Sequence, residues 1–313
     1  MTNFADRLVS AIGAKRSAAV VGLDPRFELI PDEIRNSPAA NSSDVLSSCA
    51  QALLSFNQEV IDIVYPHVAM VKPQVAFYER FGPPGIAAFR DTITYARSKG
   101  LLVLTDIKRG DIGSTAAAYA EAHLGFVEVN GKLIEPFGAD AVTVNPYLGT
   151  DGIEPFLGVC EKHGKGIFVL VRTSNPSGAE FQNLLVDGEP FYRRVAKHVE
   201  EWGKALIGDS GYSSVGAVVG GTCPKEASEI RALLPKTYFL VPGYGAQGGE
   251  ADDVSVSFNK DGLGAVVNSS RGIIHAYTMS PWKERFGPER WREAVAAAIE
   301  HMNQELSAVI PHT

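Results

Sequence analysis

Residues 104 to 115 read LTDIKRGDIGST, which crowds Asp106, Lys108, Arg109 and Asp111 into one short stretch directly behind an apolar run. Asp106 and Lys108 are two apart, so at a strand end their side chains can project on one face, and Asp111 follows Gly110, where the chain can turn. Charged residues also mark the solvated end of an ordinary strand, so the box alone does not establish a site. A lysine set between carboxylates is a poor divalent-metal site, because its ammonium competes with the cation for the same oxygens. It is a better proton-transfer site: the acids hold the lysine charged, and the charged lysine can deliver a proton to a carbanion.

Upstream, VGLDPR and AMVKPQVAFYE add Asp24 and Lys72, and Asp24, Lys72, Asp106, Lys108 and Asp111 then form an alternation of three anions and two cations. The stretch LLVLTDIKRGDIGST resembles the signature of the orotidine 5'-phosphate decarboxylase family: an acid, any residue, a lysine, two residues, an acid, then an aliphatic residue and a threonine. Here these are Asp106, Lys108, Asp111, Ile112 and Thr115. The resemblance continues through GLDPR, VKPQ, RTSNPSG, GAQGG and NSSRG in order, and the length and a Pro-rich excursion are similar to the longer bacterial branch of the family. It implies a cofactor-independent decarboxylase of orotidine 5'-phosphate in pyrimidine nucleotide synthesis. Lys108 would stabilise and protonate the ring carbanion, and Asp106 would sit near the substrate carboxylate. Asp24 and Lys72 would hold ribose hydroxyls and Ser174 would read the pyrimidine edge. The resemblance further implies that Asp111, Ile112 and Thr115 enter a neighbouring subunit's site, making a homodimer the active form.

Such side chains need a scaffold that brings distant segments together. Eight short apolar runs recur: SAAVVGLD, HVAMVKPQ, LLVLTDIK, DAVTVNPY, GIFVLVRTS, VGAVVGGT, TYFLVPGYG and GAVVNSSRG. Runs of this length without period-two alternation suit parallel strands buried on both faces. Between them lie helical patterns such as VLSSCAQALLSFNQEVIDIV and PFYRRVAKHVEEWGKAL, with apolar positions three and four apart. The alternation predicts an α/β fold, a (β/α)8 TIM barrel forming one domain over residues 1–313, with a doubly wound open sheet as the alternative. Polar residues collect behind the strands at Asp24, Lys72, Asp106, Lys108, Asn145, Ser174, Thr222, Gln247 and Arg271, where barrel enzymes build their sites. RFELIPDEIRNSPAANSSD and TSNPSGAEFQNLLVDGEP read as loop excursions after the first and fifth strands.

Gly243, Gly245 and Gly248 have GxGxxG spacing, but only one strand follows them, which does not fit the opening βαβ unit of a dinucleotide fold. In a barrel the loops after the seventh and eighth strands commonly cradle phosphate, and Gln247 and Arg271 would complete that cradle. A sugar-phosphate lyase or aldolase would share barrel and phosphate loops but should show a magnesium acid pair or a Schiff-base lysine. A non-catalytic nucleotide binder would not need the charged box.

The formal charge of −7 argues against nucleic-acid or membrane-surface partners and leaves a small-molecule substrate. Cys49, Cys160 and Cys223 are far apart without a CxxC pair, and the seven histidines show no metal-binding spacing, so no metal or other cofactor is expected. No apolar stretch reaches the roughly 18 residues that span a bilayer, and the N-terminus lacks signal-peptide layout, which fits the cytoplasm.

Overall fold

The computed structural model describes residues 2–40, 42–245 and 249–311. Eight strands carry the architecture: β1 (Ala19–Leu23), β2 (Met70–Pro73), β3 (Leu102–Arg109), β4 (Ala141–Val144), β5 (Gly166–Arg172), β6 (Ser213–Val219), β7 (Thr237–Val241) and β8 (Ala265–Ser269). All neighbours pair in parallel, and β1 pairs with β8, setting Val20 opposite Asn268, so the sheet closes on itself. Closure rules out the open-sheet alternative and gives the single-domain (β/α)8 barrel that the eight apolar runs predict.

The helices include α1 (Phe4–Lys15), ahead of β1, then α2 (Val45–Val64), α3 (Gly82–Ser98), α4 (Gly113–Leu124), α5 (Glu154–His163), α6 (Phe191–Gly203), α7 (Pro224–Leu233), α8 (Ala251–Ser255) and α9 (Trp291–Val309), with shorter helical turns between them. The sequence explains their ends and faces. Asp44 caps α2 by accepting from Ser47 N at 2.8 Å, and the buried positions Ala50, Leu53, Phe56, Asn57, Val60, Ile61 and Val64 repeat at helical spacing on one face. Asn3 does the same for α1, accepting from Asp6 N at 2.9 Å.

Strand residues alternate between two cores, which is why the strand sequences are apolar on both faces. Val20, Met70, Leu104, Ala141, Phe168, Leu240 and Val266 point into the barrel and pack with Phe4, Leu8 and Ile12 of α1, which plugs one end. Val21, Val71, Val103, Val142, Val169, Phe239 and Val267 point outward against the helices. With α1 filling one end, the space that remains lies at the other, where Leu170, Val218 and Leu240 floor a cavity.

The two predicted excursions carry short elements of their own. The first holds two 3-10 turns and the four-residue helix Asp32–Arg35. The second holds a 3-10 turn, the helix Ala179–Gln182 and a hairpin of two-residue strands.

Candidate active site

The cavity at the C-terminal ends of the strands measures about 570 Å³. Asp24, Lys72, Asp106, Lys108, Ser174 and Arg271 all line it, so six of the ten residues given a catalytic or substrate role from the sequence converge there. Gln247 lies outside the described residues, as does Gly248 of the glycine-rich loop.

Lys72 comes from the end of β2, where Gly22 of β1 stands opposite it in the ladder. That glycine is required: a Cβ at Gly22 would fall 1.9 Å from Ser270 Oγ, so any side chain would drive β1 away from the loop after β8. Lys72 Nζ donates to Asp106 Oδ2 at 2.9 Å and stands 3.9 Å from Asp24 Oδ1. Lys108 Nζ donates to the other oxygen, Asp106 Oδ1, at 2.6 Å. Asp106 therefore bridges two ammoniums while remaining only 7% exposed. Burial by itself pushes the Asp106 carboxyl up, but the charges of Lys72 and Lys108 outweigh burial and hold it well below the usual carboxylate range. Burial likewise pulls the Lys72 ammonium down, and Asp106 and Asp24 outweigh that, leaving it raised. Lys72 and Asp106 are thus both charged at neutral pH.

Asp106 and Lys108 do meet, although not by strand alternation. Lys108 has φ of 45°, in the left-handed region that a non-glycine residue enters at a cost of about 1 kcal/mol. The pairing of β3 with β4 slips here, from Thr105 opposite Val142 to Arg109 opposite Val144. The irregularity turns Lys108 back over the cavity, and its side chain stays about half exposed, in reach of water.

Asp111, Ile112 and Thr115 do not line this chain's cavity. They sit where β3 gives way to α4; Ile112 is 52% exposed, and Asp111 Oδ1 accepts locally from Ile112 N at 2.8 Å. Two other strand-end residues also miss the cavity. Asn145 Oδ1 accepts from Tyr147 N at 3.0 Å, because the chain leaves the barrel in a turn after β4. Thr222 Oγ1 donates to the Ser174 carbonyl at 3.2 Å and so supports the residue that does line it.

The loop after β5 is pinned from below. Buried Arg172 donates to the Thr173 carbonyl at 2.9 Å and to Gln182 Oε1 at 3.2 Å, and Gln182 in turn accepts from Thr173 N at 2.9 Å. These bonds present Thr173, Ser174 and Asn175 to the cavity.

Sequence reasoning missed Arg26, Thr143, Asn268 and Ser270, which all line the cavity. Arg26 belongs to a clamped turn. Its backbone N–H donates to His275 Nε2 at 3.3 Å, His275 Nδ1 lies 3.1 Å from Tyr277 Oη, and Tyr277 Oη donates to the Leu29 carbonyl at 2.6 Å. Burial, with the nearby Arg26 guanidinium, brings the His275 imidazole down to about 3, so it is neutral, with its proton on Nδ1. The only sequence signal for Arg26 was its place in GLDPR; Thr143 lay unmarked inside an apolar strand.

A barrel whose cavity sets two lysines against a bridging carboxylate is built for electrostatic and acid–base chemistry. The chain belongs to the orotidine 5'-phosphate decarboxylase / HUMPS family, whose model matches residues 39–280. It is 46% identical over 306 residues to the orotidine 5'-phosphate decarboxylase of Rhodopirellula baltica, covering 98% of this chain and 99% of that one. It is 44% identical over 277 residues to the enzyme of the same name from Caldicellulosiruptor bescii, covering 88% and 91%. Among solved structures, the OMP decarboxylase of Leishmania donovani superposes with a TM-score of 0.74 at 30% identity, covering 98% of this chain and 99% of that one.

Proposed function

We infer that this chain decarboxylates orotidine 5'-phosphate to uridine 5'-phosphate, a step of pyrimidine nucleotide synthesis, using its own side chains as the catalytic groups. The observation that carries this reading is the Lys72–Asp106–Lys108 chain of charges, fixed at hydrogen-bond distances on one side of a cavity that also holds Asp24, Arg26 and Arg271. The cavity thus lines four cations against two carboxylates in a chain of net charge −7, which suits a substrate bearing a phosphate and a carboxylate.

Loss of CO2 breaks the bond between the orotate ring and its carboxylate and leaves the electron pair on the ring carbon, with no adjacent carbonyl to spread it. Lys108 Nζ supplies the compensating positive charge and then transfers a proton to that carbon. Its half-exposed side chain recovers a proton from solvent. Asp106, held ionised by both lysines, stands against the substrate carboxylate. Two unit charges about 4 Å apart repel by about 4 kcal/mol at an effective dielectric of 20, and that repulsion vanishes as neutral CO2 departs. Asp24 and Lys72 hold the ribose hydroxyls, Ser174 meets the pyrimidine edge, and Arg271, with Gln247, grips the phosphate by charge-assisted hydrogen bonds.

The active form in this reading is a homodimer in the cytosol. Ile112, Tyr147 and Leu148, 52%, 82% and 48% exposed, give an apolar surface beside Asp111 and Thr115, which suits burial against a second copy and delivery of these residues to its cavity. Among the described residues no helix is long and apolar enough to cross a membrane.

Purified protein mixed with orotidine 5'-phosphate should lower the absorbance on the long-wavelength side of the substrate's ultraviolet band as the ring carboxylate is lost, and release CO2 in amount equal to the uridine 5'-phosphate formed; an unchanged spectrum overturns the assignment. The shared site has its own test. Lys108→Ala and Asp111→Ala subunits, each nearly inactive, should on mixing regain about a quarter of wild-type activity, because half the dimers then hold one intact site. No recovery after verified subunit exchange would place Asp111 in a site built by one chain.

A further inference from the structure

Thr143 is the buried third residue of β4, 1% exposed, and its hydroxyl lies where β3 slips against β4. Ile107 N and Lys108 N both donate to Thr143 Oγ1, each at 3.0 Å. The same oxygen stands 2.8 Å from Asp106 Oδ1. A hydroxyl has one proton and two lone pairs, and backbone N–H groups can only donate. The two N–H groups therefore occupy both lone pairs, and the proton has one place to go, the Asp106 carboxylate. The hydroxyl's whole bonding capacity is used on Asp106, Lys108 and the residue between them, Ile107.

We propose that Thr143 is a positioning residue for decarboxylation, with one hydroxyl fixing both the left-handed backbone of Lys108 and the orientation of the Asp106 carboxylate. The proposal rests on the reading that Lys108 and Asp106 carry the reaction. Two physical consequences set its importance. Lys108 occupies a backbone conformation that its side chain disfavours, so an external constraint must hold it there, and the paired N–H bonds at Ile107 and Lys108 are that constraint. Asp106 carries two ammoniums, and the Thr143 proton adds a third donor on the same oxygen that Lys108 uses, fixing the direction from which Lys108 Nζ approaches. Bound substrate gains nothing from this bond in its ground state; the benefit comes when a proton must travel from Nζ to carbon along one line.

The test is a set of substitutions read by the division between kcat and KM. Thr143→Val keeps shape and removes the hydroxyl; Thr143→Ser keeps the hydroxyl and removes a methyl. Thr143→Val should lower kcat for orotidine 5'-phosphate by about 30- to 100-fold, with KM and the affinity for uridine 5'-phosphate within about threefold of wild type. Thr143→Ser should stay within about fivefold in kcat. A kcat for Thr143→Val within threefold of wild type overturns the proposal. So does a Thr143→Ser enzyme as slow as Thr143→Val, because the hydroxyl would then not be the cause. A parallel loss of kcat and of product affinity in Thr143→Val also overturns it, since that is the mark of general collapse of the site. If Thr143→Val does not fold, Thr143→Ala takes its place against Thr143→Ser with the same criteria. Lys108→Ala run alongside separates the two readings: a crippled Lys108→Ala with a fast Thr143→Val removes only the role of Thr143, whereas a fast Lys108→Ala removes the chemistry on which it rests.

Discussion

The two sides of the cavity are built on opposite electrostatic terms. At the ends of β2 and β3 every charge is already answered: Lys72 and Lys108 share Asp106, and Asp24 stands across from Lys72. Behind β1 and β8, Arg26 and Arg271 face the same cavity, and neither guanidinium has an acid partner among the described residues. In the proposed reading the first side is finished before substrate arrives, so its charges would not need to reorganise as a carbanion develops. The second side is left uncompensated, which costs little at a wet surface and creates a standing demand for an anion. In the proposed reading the first side is the reacting end and the second the gripping end.

The contrast predicts its largest effect at Lys108. Lys108→Ala removes both the cation that faces the carbanion and the proton it delivers, so kcat should fall by about 10⁴-fold or more. The fold should survive, because the side chain is half exposed and buries little apolar surface. Its thermal transition should lie within a few degrees of wild type, as measured by circular dichroism. A variant with near-normal turnover would break the assignment of the finished side as the reacting one.

Arg271→Ala should come next, with kcat/KM lower by about 10²- to 10³-fold, or about 3–4 kcal/mol, the order expected when a charged partner of a bound anion is lost. The loss should appear in turnover as well as in binding, because remote phosphate contacts can drive closure and hold the strained carboxylate. Removing the phosphate from the substrate sharpens the point: wild type should lose far more on orotidine than Arg271→Ala does, and guanidinium ion should partly restore Arg271→Ala. Equal losses in both enzymes would move the phosphate away from the loop after β8.

What could be read in advance follows from where the physical signal lives. The eight strands were legible because a parallel strand between barrel interior and helices must be apolar on both faces, as Val20 and Val21 or Val266 and Val267 show. Asp106 and Lys108 were legible as a pair, yet the reason they meet was not. Period-two geometry puts them on one face, whereas the structure uses a left-handed Lys108 and a slipped register. Thr143 gave no signal, since a threonine in a strand is ordinary and only the partner strand's irregularity gives its hydroxyl work. Asn145 and Thr222 misled for the complementary reason: a polar residue behind a strand lines the cavity only if the chain has not yet turned away. Asp111, Ile112 and Thr115 were legible as motif members alone, because they sit where β3 gives way to α4 and do not line this chain's cavity.

Arg26 gives the smallest effect and the finest division of the comparison. Its backbone N–H is held by neutral His275, which follows closely on the Arg271 segment, so the two arginines belong to neighbouring loops tied to each other through one imidazole. Arg26→Ala keeps that backbone bond and removes only the guanidinium, so the turn should persist and stability should change little. If the guanidinium adds to the demand for an anion without being its chief partner, kcat/KM for the nucleotide should fall by about tenfold, mostly through KM, because an exposed or half-exposed cation contributes less than a fully desolvated one. Activity on orotidine should be unchanged. A tenfold loss on both substrates would assign Arg26 to the ribose or the base, and the gripping side of the cavity would then be the loop after β8 alone. A loss confined to the nucleotide, together with energetic coupling between Arg26→Ala and Arg271→Ala in a double-mutant cycle, would show the two guanidiniums acting on one phosphate.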